Sequence, residues 1–240
     1  MKFVYLLVDF FTILVPFIFS YHPRLNFYKN FKAFSVSNIL IAVLFISGDI
    51  LFTRLGVWGF NPEYVLGIYF FNLPVEEILF FICIPFSCVF TYHCLNLFFN
   101  INRNPITENI IILSVSTILM VAGIYFHDKL YTSTTFICLS LALLALKFFL
   151  KINWLTKLFV IYPVLILPFF IVNGILTGSG LDEPVVWYDN AENLGIRLFS
   201  IPVEDVFYGF LLILLNIFLY EYLKPKFRNA DIEMYEQGVY

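Results

Sequence analysis

The sequence predicts an all-α integral membrane protein with seven transmembrane helices, arranged as two parallel three-helix repeats joined by a connector helix. Three observations predict this fold class. The composition is strongly apolar, seven apolar runs are each long enough to cross a bilayer, and one acidic motif occurs twice in the chain.

The composition places almost the whole chain in a membrane. Of the 240 residues, 61% are hydrophobic and only 13% are charged, whereas a typical soluble domain has about 25% charged residues. The net charge of −3 says nothing about partners, but no part of the sequence resembles a nucleic-acid-binding surface, so no nucleic acid partner is expected. The four cysteines lie inside apolar runs without the spacing of a metal site, so they are interpreted as small buried hydrophobes and no metal is expected.

Each apolar run has about the 20 residues that a membrane-spanning helix requires. The runs cover residues 3–20, 34–54, 72–96, 108–126, 134–151, 157–176 and 198–222. With seven spans, ten lysine and arginine residues fall on one side of the membrane and four on the other. The positive-inside rule then places the N-terminus outside and the C-terminus in the cytoplasm, and a bacterial cell membrane is the expected location.

An internal repeat relates the two halves of the chain. Pro74-Val75-Glu76-Glu77 recurs 128 residues later as Pro202-Val203-Glu204-Asp205. This offset superposes helices 1–3 on helices 5–7 and leaves helix 4 as a connector. Because the extra helix gives both repeats the same orientation, both acid pairs lie on one side of the bilayer. The predicted segments are residues 1–99, 100–133 and 134–223, followed by a cytoplasmic tail over 224–240.

Both acid pairs are predicted to lie in the first turn of a helix. Proline is favourable at the first helical position, and the residue before a proline avoids the helical region, so helix 3 is expected to begin at Pro74. Acids in a first turn interact favourably with the helix dipole, so capping is one interpretation of Glu76 and Glu77. Two matched pairs favour function instead, because each carboxylate in a membrane costs about 2.5 kcal/mol or more unless it is paired or hydrated.

Further side chains at about the same membrane depth as the acid pairs are candidate substrate-binding groups. Asp49 and Arg54 lie near the outer end of helix 2, where Arg54 can neutralise one of the acids or simply form an ion pair with Asp49. An aromatic face beside a proton donor would stabilise a carbocation. The aromatic candidates are Trp58, Phe80, Phe81, Phe207 and Tyr208.

Residues 48–90, with residues 192–221 as their repeat, resemble the fused, heterodimer-type lycopene cyclase family. The repeated P-x-E-[ED]-x-x-x-F signature carries the resemblance, which covers nearly the whole chain. At the positions that the signature defines, the second copy differs twice, with Asp205 in place of Glu77 and Gly209 in place of Phe81. The resemblance implies a lycopene β-cyclase of carotenoid biosynthesis, a non-redox intramolecular lyase or isomerase that needs no cofactor.

The chemistry implied by the resemblance gives the acids their predicted roles. A carboxylic acid protonates the terminal double bond of lycopene, the neighbouring double bond closes a ring, and a base removes a ring proton. Paired carboxylates provide one protonated and one ionised group by splitting their titrations. Glu76 and Glu204 are predicted as the principal acid/base residues, with Glu77 and Asp205 as the catalytic partners that tune them. The expected partners are lycopene within the bilayer, membrane lipid and other carotenoid-pathway enzymes.

Some features of the sequence also occur in membrane proteins of other function classes. The main alternative is a non-enzymatic seven-helix transporter or a polyene-binding membrane protein, because parallel repeats and membrane acids also occur in transporters. A retinal photoreceptor needs a lysine in helix 7, and none lies between Arg197 and Tyr222. A prenyltransferase needs an aspartate-rich magnesium site, for which the chain has no motif.

Overall fold

The computed structural model describes the backbone of residues 1–236 and the side chains through residue 229. Seven α-helices account for most of this part of the chain. They are α1 (Val4–Phe19), α2 (Phe31–Leu55), α3 (Val75–Phe98), α4 (Pro105–Tyr125), α5 (Leu130–Leu144), α6 (Leu155–Leu176) and α7 (Val203–Glu236). A 3-10 turn (Phe27–Asn30) leads into α2, and a π-helical segment (Ala145–Phe149) extends α5.

Six of the seven described helices are long and apolar enough to cross a membrane, and α1, with 16 residues, is the shorter one. Every helix lies within a few residues of a predicted span except at the end of α7. That helix was expected to end near residue 222 and instead continues through the charged segment to Glu236. The last residues of the predicted tail, 237–240, lie outside the described part of the chain.

Short strands form three two-stranded antiparallel sheets at one end of the bundle. Two of these sheets are hairpins that directly precede α3 and α7, and the third joins the two halves of the chain. The hairpins are β2 (Tyr69–Phe70) with β3 (Leu73–Pro74), and β5 (Arg197–Leu198) with β6 (Ile201–Pro202). The joining sheet pairs β1 (Trp58–Phe60) with β4 (Val186–Tyr188). This end of the molecule is called the hairpin end below.

The hairpins explain why α3 begins one residue later than the predicted Pro74, and why α7 begins at the equivalent residue, Val203. Pro74 is extended, with ψ of 150°, and pairs with Tyr69 in the hairpin, so the helix starts at Val75. The Val75 N–H donates to the Ile68 carbonyl at 2.9 Å, and Val203 makes the same bond to Ile196 at 3.0 Å.

The hairpin tips also match each other. Phe71 and Phe199 have positive φ values of 55° and 59°, which non-glycine residues rarely adopt. Their side chains are 77% and 89% exposed. The two halves therefore repeat in backbone detail as well as in helix order.

The two halves interlock through their helices. Helix α1 packs on α3 and α5 packs on α7, while α2 contacts both α3 and α7 and α6 likewise contacts both of these helices. A buried amide pair links the halves, since Asn38 Nδ2 of α2 donates to Asn216 Oδ1 of α7 at 3.1 Å. The acid-bearing helices α3 and α7 therefore lie at the centre, surrounded by the other helices of both repeats.

The connector α4 packs along α5 and is held by a buried ionic cluster. Glu108 accepts hydrogen bonds from Arg103, from Lys147 in the π-helical segment and from Thr156 at the start of α6. This cluster lies at the end of the bundle opposite the hairpins. Two cations compensate the charge of Glu108. Because Lys147 and Thr156 belong to the second repeat, their bonds to Glu108 tie the connector to that repeat.

Candidate functional site

One large cavity lies between the helices and ends at the joining sheet, at the hairpin end of the bundle. Its volume is about 660 Å³ and its walls are almost entirely apolar. Helices α1, α3, α6 and α7 form the walls, and residues of β1 and β4 contribute to the closed end. Three carboxyl groups line it, those of Asp49, Glu77 and Asp205, so acids from both repeats share one cavity.

The cavity is long and narrow along the helix axes. On α3 its lining runs from Glu77 to Thr91, and on α6 from Tyr162 to Leu176. At 1.5 Å per residue each of these stretches corresponds to roughly 21 Å. The cavity therefore has the shape of a slot whose acids lie at its hairpin end.

The side of the slot opens to the surface of the bundle between α1 and α6. Leu7 and Phe11 on α1 line the cavity and are nonetheless 48% and 62% exposed. Ile171 on α6 lines it as well and is 67% exposed. Because these side chains belong to both the cavity wall and the outer face, an elongated molecule can enter sideways.

Glu77 is the acid that the first repeat contributes to the cavity. It lies in the first turn of α3 and is buried. Its Oε2 accepts a hydrogen bond of 2.5 Å from the hydroxyl of Tyr5 in α1. The Tyr5 ring packs edge-on against Phe80 at 6.3 Å between centroids, so one aromatic pair borders this carboxyl group.

Asp205 is the acid that the second repeat contributes, and it has more partners. Tyr131 Oη donates to its Oδ1 at 2.6 Å, Tyr188 Oη donates to its Oδ2 at 3.0 Å, and Asn173 Nδ2 lies 3.5 Å from the same Oδ2. The Arg197 guanidinium lies over the Tyr188 ring, 5.5 Å from its centroid. Burial and the neighbouring Asp205 raise the pKa of the Tyr188 phenol well above its usual value, so this residue of β4 remains a hydrogen-bond donor.

Glu76 and Glu204, the predicted principal acids, are fully buried but do not line the cavity. Glu76 Oε1 accepts the Leu66 N–H at 2.7 Å, and Glu204 Oε1 accepts the Leu194 N–H at the same distance. Glu204 Oε1 also accepts the hydroxyl of Thr132 at 2.6 Å. Adjacent residues on a helix point about 100° apart, so when Glu77 and Asp205 face the slot, their neighbours face the loops before the hairpins.

Aromatic rings surround the Asp205 side of the cavity. Trp58 lies 5.1 Å from Tyr131, 6.1 Å from Tyr188 and 6.3 Å from Tyr208, measured between ring centroids. Tyr131 also packs against Tyr208 at 5.9 Å and stacks on Tyr188 at 6.0 Å. All four rings line the cavity. A positive charge that developed here would face aromatic π-systems.

The remaining predicted substrate-binding residues divide into two groups. Asp49, Trp58, Phe80 and Tyr208 line the cavity, whereas three others lie outside it. Phe81 is buried against Phe45, with 6.0 Å between centroids, and Phe207 packs on Phe136 at 5.0 Å. Arg54 is exposed at the end of α2 and forms no salt bridge to Asp49 or to any acid within the described residues.

Sequence reasoning missed the two tyrosines that contact the acids. Tyr5 and Tyr131 each follow the first residue of α1 and α5, respectively, and each donates to the acid of its own repeat. Their separation of 126 residues is close to the 128 between Glu77 and Asp205. A search for the repeat at the helix starts, rather than at the acidic motif alone, would have aligned them.

Comparison with protein-family models shows the family of this chain. Neither the curated proteins nor the solved structures include one that matches this chain. A family model described as lycopene cyclase matches residues 2–95 and 128–223, which together make up more than half of the sequence. The two matched segments contain the two acid motifs and the tyrosines that contact them, and the match confirms the family that the doubled motif resembles. The chain belongs to the lycopene cyclase family.

Proposed function

We propose that this protein is a lycopene β-cyclase that closes the rings by acid/base catalysis, without net oxidation or reduction. The observation that carries the proposal is the position of Glu77 and Asp205 at one end of a single long apolar cavity. Membership of the lycopene cyclase family supports carotenoid cyclisation in general. The cavity supports acid/base ring closure in particular, because its only carboxyl groups among the described residues lie at the end where one end of a substrate would stop.

The shape of the cavity suits a linear polyene that arrives from the bilayer. A 40-carbon polyene is roughly 30 Å long, about the thickness of the hydrocarbon layer, and the slot is roughly 21 Å long on α3. One end of the substrate would therefore reach the acids while the rest projects through the opening between α1 and α6. Apolar walls favour such a hydrocarbon, because a hydrocarbon cannot form hydrogen bonds and would leave any polar group in the wall without a partner.

The proposed reaction moves one proton in and one proton out. A carboxylic acid adds its proton to the terminal double bond, which leaves a tertiary cation. The neighbouring double bond supplies its electron pair to form the new ring bond, and the positive charge moves into the ring. A carboxylate then removes a proton from the ring carbon that carries the chain, giving the β-ring double bond. Substrate and product are isomers, so atoms and electrons balance without a co-reactant.

In this proposal the catalytic pair is Glu77 and Asp205, which reverses the order of importance expected from the sequence. Both of these carboxyl groups line the slot, and both are held by phenols. Glu76 and Glu204 instead position the loops that close the hairpin end, through their bonds to Leu66 and Leu194. Trp58 and the tyrosines around it would shield the cation from water and stabilise it.

The proposed placement in the membrane has all seven helices crossing, with the hairpin end outside. Helix α1 is about 24 Å long at 1.5 Å per residue, and its exposed apolar face over Leu7–Ile18 would lie in lipid. The ten-to-four distribution of basic residues supports an external N-terminus and a cytoplasmic C-terminus. A cell membrane that also holds other carotenoid-pathway enzymes is the proposed location.

The experiment that tests the proposal is conversion of lycopene by the purified protein in lipid nanodiscs. We expect β-ring carotenes to form with wild-type protein, and Glu77→Gln to lower the rate by about 10²-fold or more, the usual contribution of a general acid or base. Glu63→Gln is the matched control, because Glu63 is an exposed loop residue away from the cavity. Lycopene that is bound but never converted would refute the cyclase proposal and favour a polyene-binding protein.

A further inference from the structure

The two carboxyl groups in the cavity have unequal surroundings, although the repeat gives them equivalent positions. Glu77 accepts one hydrogen bond from a side chain, and Asp205 has three side-chain donors around it. Given the proposed cyclase function, on which this inference rests, we propose that Glu77 is the acid that protonates the polyene and Asp205 is the base that removes the ring proton. Tyr5 is then the positioning residue for the acid, and Tyr131 and Tyr188 are the positioning residues for the base.

The partners of Asp205 stabilise an ionised carboxylate. Hydrogen bonds donated to a carboxylate favour the charged form over the neutral one, and Asp205 has such donors at both oxygens, from Tyr131 and Tyr188, with Asn173 near the second. Two charged groups also act on Asp205: the neighbouring Glu204 disfavours its ionisation, and the Arg197 cation, which lies over the Tyr188 ring, favours it. The hydrogen bonds from the two phenols are therefore the interactions that favour the carboxylate most. A carboxylate held in this way cannot easily donate a proton, but it can accept one.

The neighbours of Glu77 have the opposite effect. Its side-chain donor is Tyr5, and the charged groups that act on it are acids rather than cations. Asp205 and Asp49 line the same cavity, and Asp9 in α1 is buried; all three interact electrostatically with Glu77. Both oxygens of Asp9 and one of Asp49 accept no hydrogen bond from the described residues. Several acids that share a site without a cation cannot all be ionised, so this side of the cavity retains protons.

The proton balance of a full cycle follows from this division. The Glu77 carboxyl group gives its proton to the terminal double bond, and the ring bond forms. Asp205 accepts the ring proton, so the cycle ends with Glu77 ionised and Asp205 protonated. Returning one proton from Asp205 to Glu77 restores the starting state, and no proton is consumed overall. The Asp49 carboxyl group lines the same cavity and offers a route for this return.

The test uses the identity of the products, because a merely structural role would not change it. Without its acid the enzyme starts the reaction poorly, so Glu77→Gln should lower the formation of every ring type alike, by about 10²-fold or more, and leave the ratio of ring types unchanged. Without its base the cation still forms, but it must lose a proton from the neighbouring ring carbon or the methyl group, or be captured by water. Asp205→Asn should therefore still close rings, and the products should shift from β-rings to ε-rings, γ-rings or hydroxylated rings.

The repeat provides a matched pair of milder variants. Tyr5→Phe should slow the reaction and leave the ratio of ring types unchanged, because it acts on the acid. Tyr131→Phe should change that ratio, because it acts on the base. If Asp205→Asn fails to fold, this tyrosine pair decides the question on its own.

The measurements are made on folded protein in nanodiscs, with bound lycopene quantified by its absorption and products separated by chromatography. Loss of all cyclic product in Asp205→Asn with lycopene still bound would overturn the proposed division, as would altered rings in Glu77→Gln or equal effects of Tyr5→Phe and Tyr131→Phe. Wild-type protein is assayed in parallel. If it forms no rings, the proposed function itself fails, whereas a failure confined to the variants refutes the assignment of acid and base.

Discussion

Replacing Glu204 by glutamine should weaken the protein without stopping its chemistry. Glu204 Oε1 accepts two hydrogen bonds, from the Leu194 N–H at 2.7 Å and from Thr132 Oγ1 at 2.6 Å. Hydrogen bonds to charged groups contribute about 1.5–3 kcal/mol each, and neutral ones about 0.5–1.5 kcal/mol. Since glutamine retains an acceptor oxygen, losing the charge at two bonds should lower the free energy of unfolding by about 2–3 kcal/mol.

The first repeat supplies an internal calibration for this number. Glu76 Oε1 accepts one such bond, from the Leu66 N–H, and Leu6 stands where the second repeat has Thr132. Glu76→Gln should therefore cost about half as much, roughly 1–1.5 kcal/mol. Thr132→Val removes one of the two bonds to Glu204 altogether rather than weakening it, so it should cost more than Glu76→Gln, about 1.5–3 kcal/mol.

The assay combines unfolding in detergent with turnover per folded molecule in nanodiscs. For Glu204→Gln we expect a clear loss of stability and a rate within about tenfold of wild type. Glu77→Gln should show the reverse, a loss of rate of about 10²-fold or more with a smaller change in stability. If Glu204→Gln abolishes turnover and leaves unfolding unchanged, Glu204 is the catalytic acid and the loop-anchoring argument is wrong.

Three further predictions concern the cavity, the cofactor requirement and the order of products. Gly209→Phe should block the slot and strongly reduce turnover of a stable protein. Gly209→Ala should be tolerated, because an added Cβ would lie 3.6 Å from the Phe169 ring, an ordinary contact distance. Equal activity of the two variants would contradict the proposed binding mode. Activity should survive EDTA and the removal of flavin and nicotinamide, since only protons move, and a strict requirement for any of them would refute this mechanism. A monocyclic carotene should appear first and then be converted to the bicyclic product, because Glu77 and Asp205 share one cavity. Bicyclic product from the outset, without a monocyclic carotene even at low enzyme concentration, would indicate two sites acting at once.

The helices could be predicted closely from the sequence because their signal is composition over about 20 residues. The hairpins at Tyr69–Pro74 and Arg197–Pro202 were not predicted, since strands of two residues have no detectable period. The joining sheet of β1 and β4 was not predicted either. It pairs segments about 130 residues apart, and nothing local in Trp58–Phe60 indicates that partner.

The site was predictable as a pair of acid motifs but not in its internal arrangement. Glu76 and Glu77 are adjacent and chemically identical, and only the direction of each side chain on α3 separates a loop anchor from a cavity acid. Tyr5 is one of 15 tyrosines, and its contact with Glu77 depends on how α1 packs against α3. Arg54 is a reasonable counter-ion by sequence distance, but its side chain is exposed in the last turn of α2 and forms no salt bridge with an acid among the described residues.

The unequal partners of Glu77 and Asp205 have a consequence for how such a site can arise. Two identical subunits related by a twofold axis place the same groups around both copies of any residue, so a homodimer built from one repeat would give both acids the same donors. Such an ancestor could not hold one carboxyl group as a dedicated acid and the other as a dedicated base. Duplication followed by divergence removes that constraint, because Tyr188, Asn173 and Arg197 can then be added on one side alone.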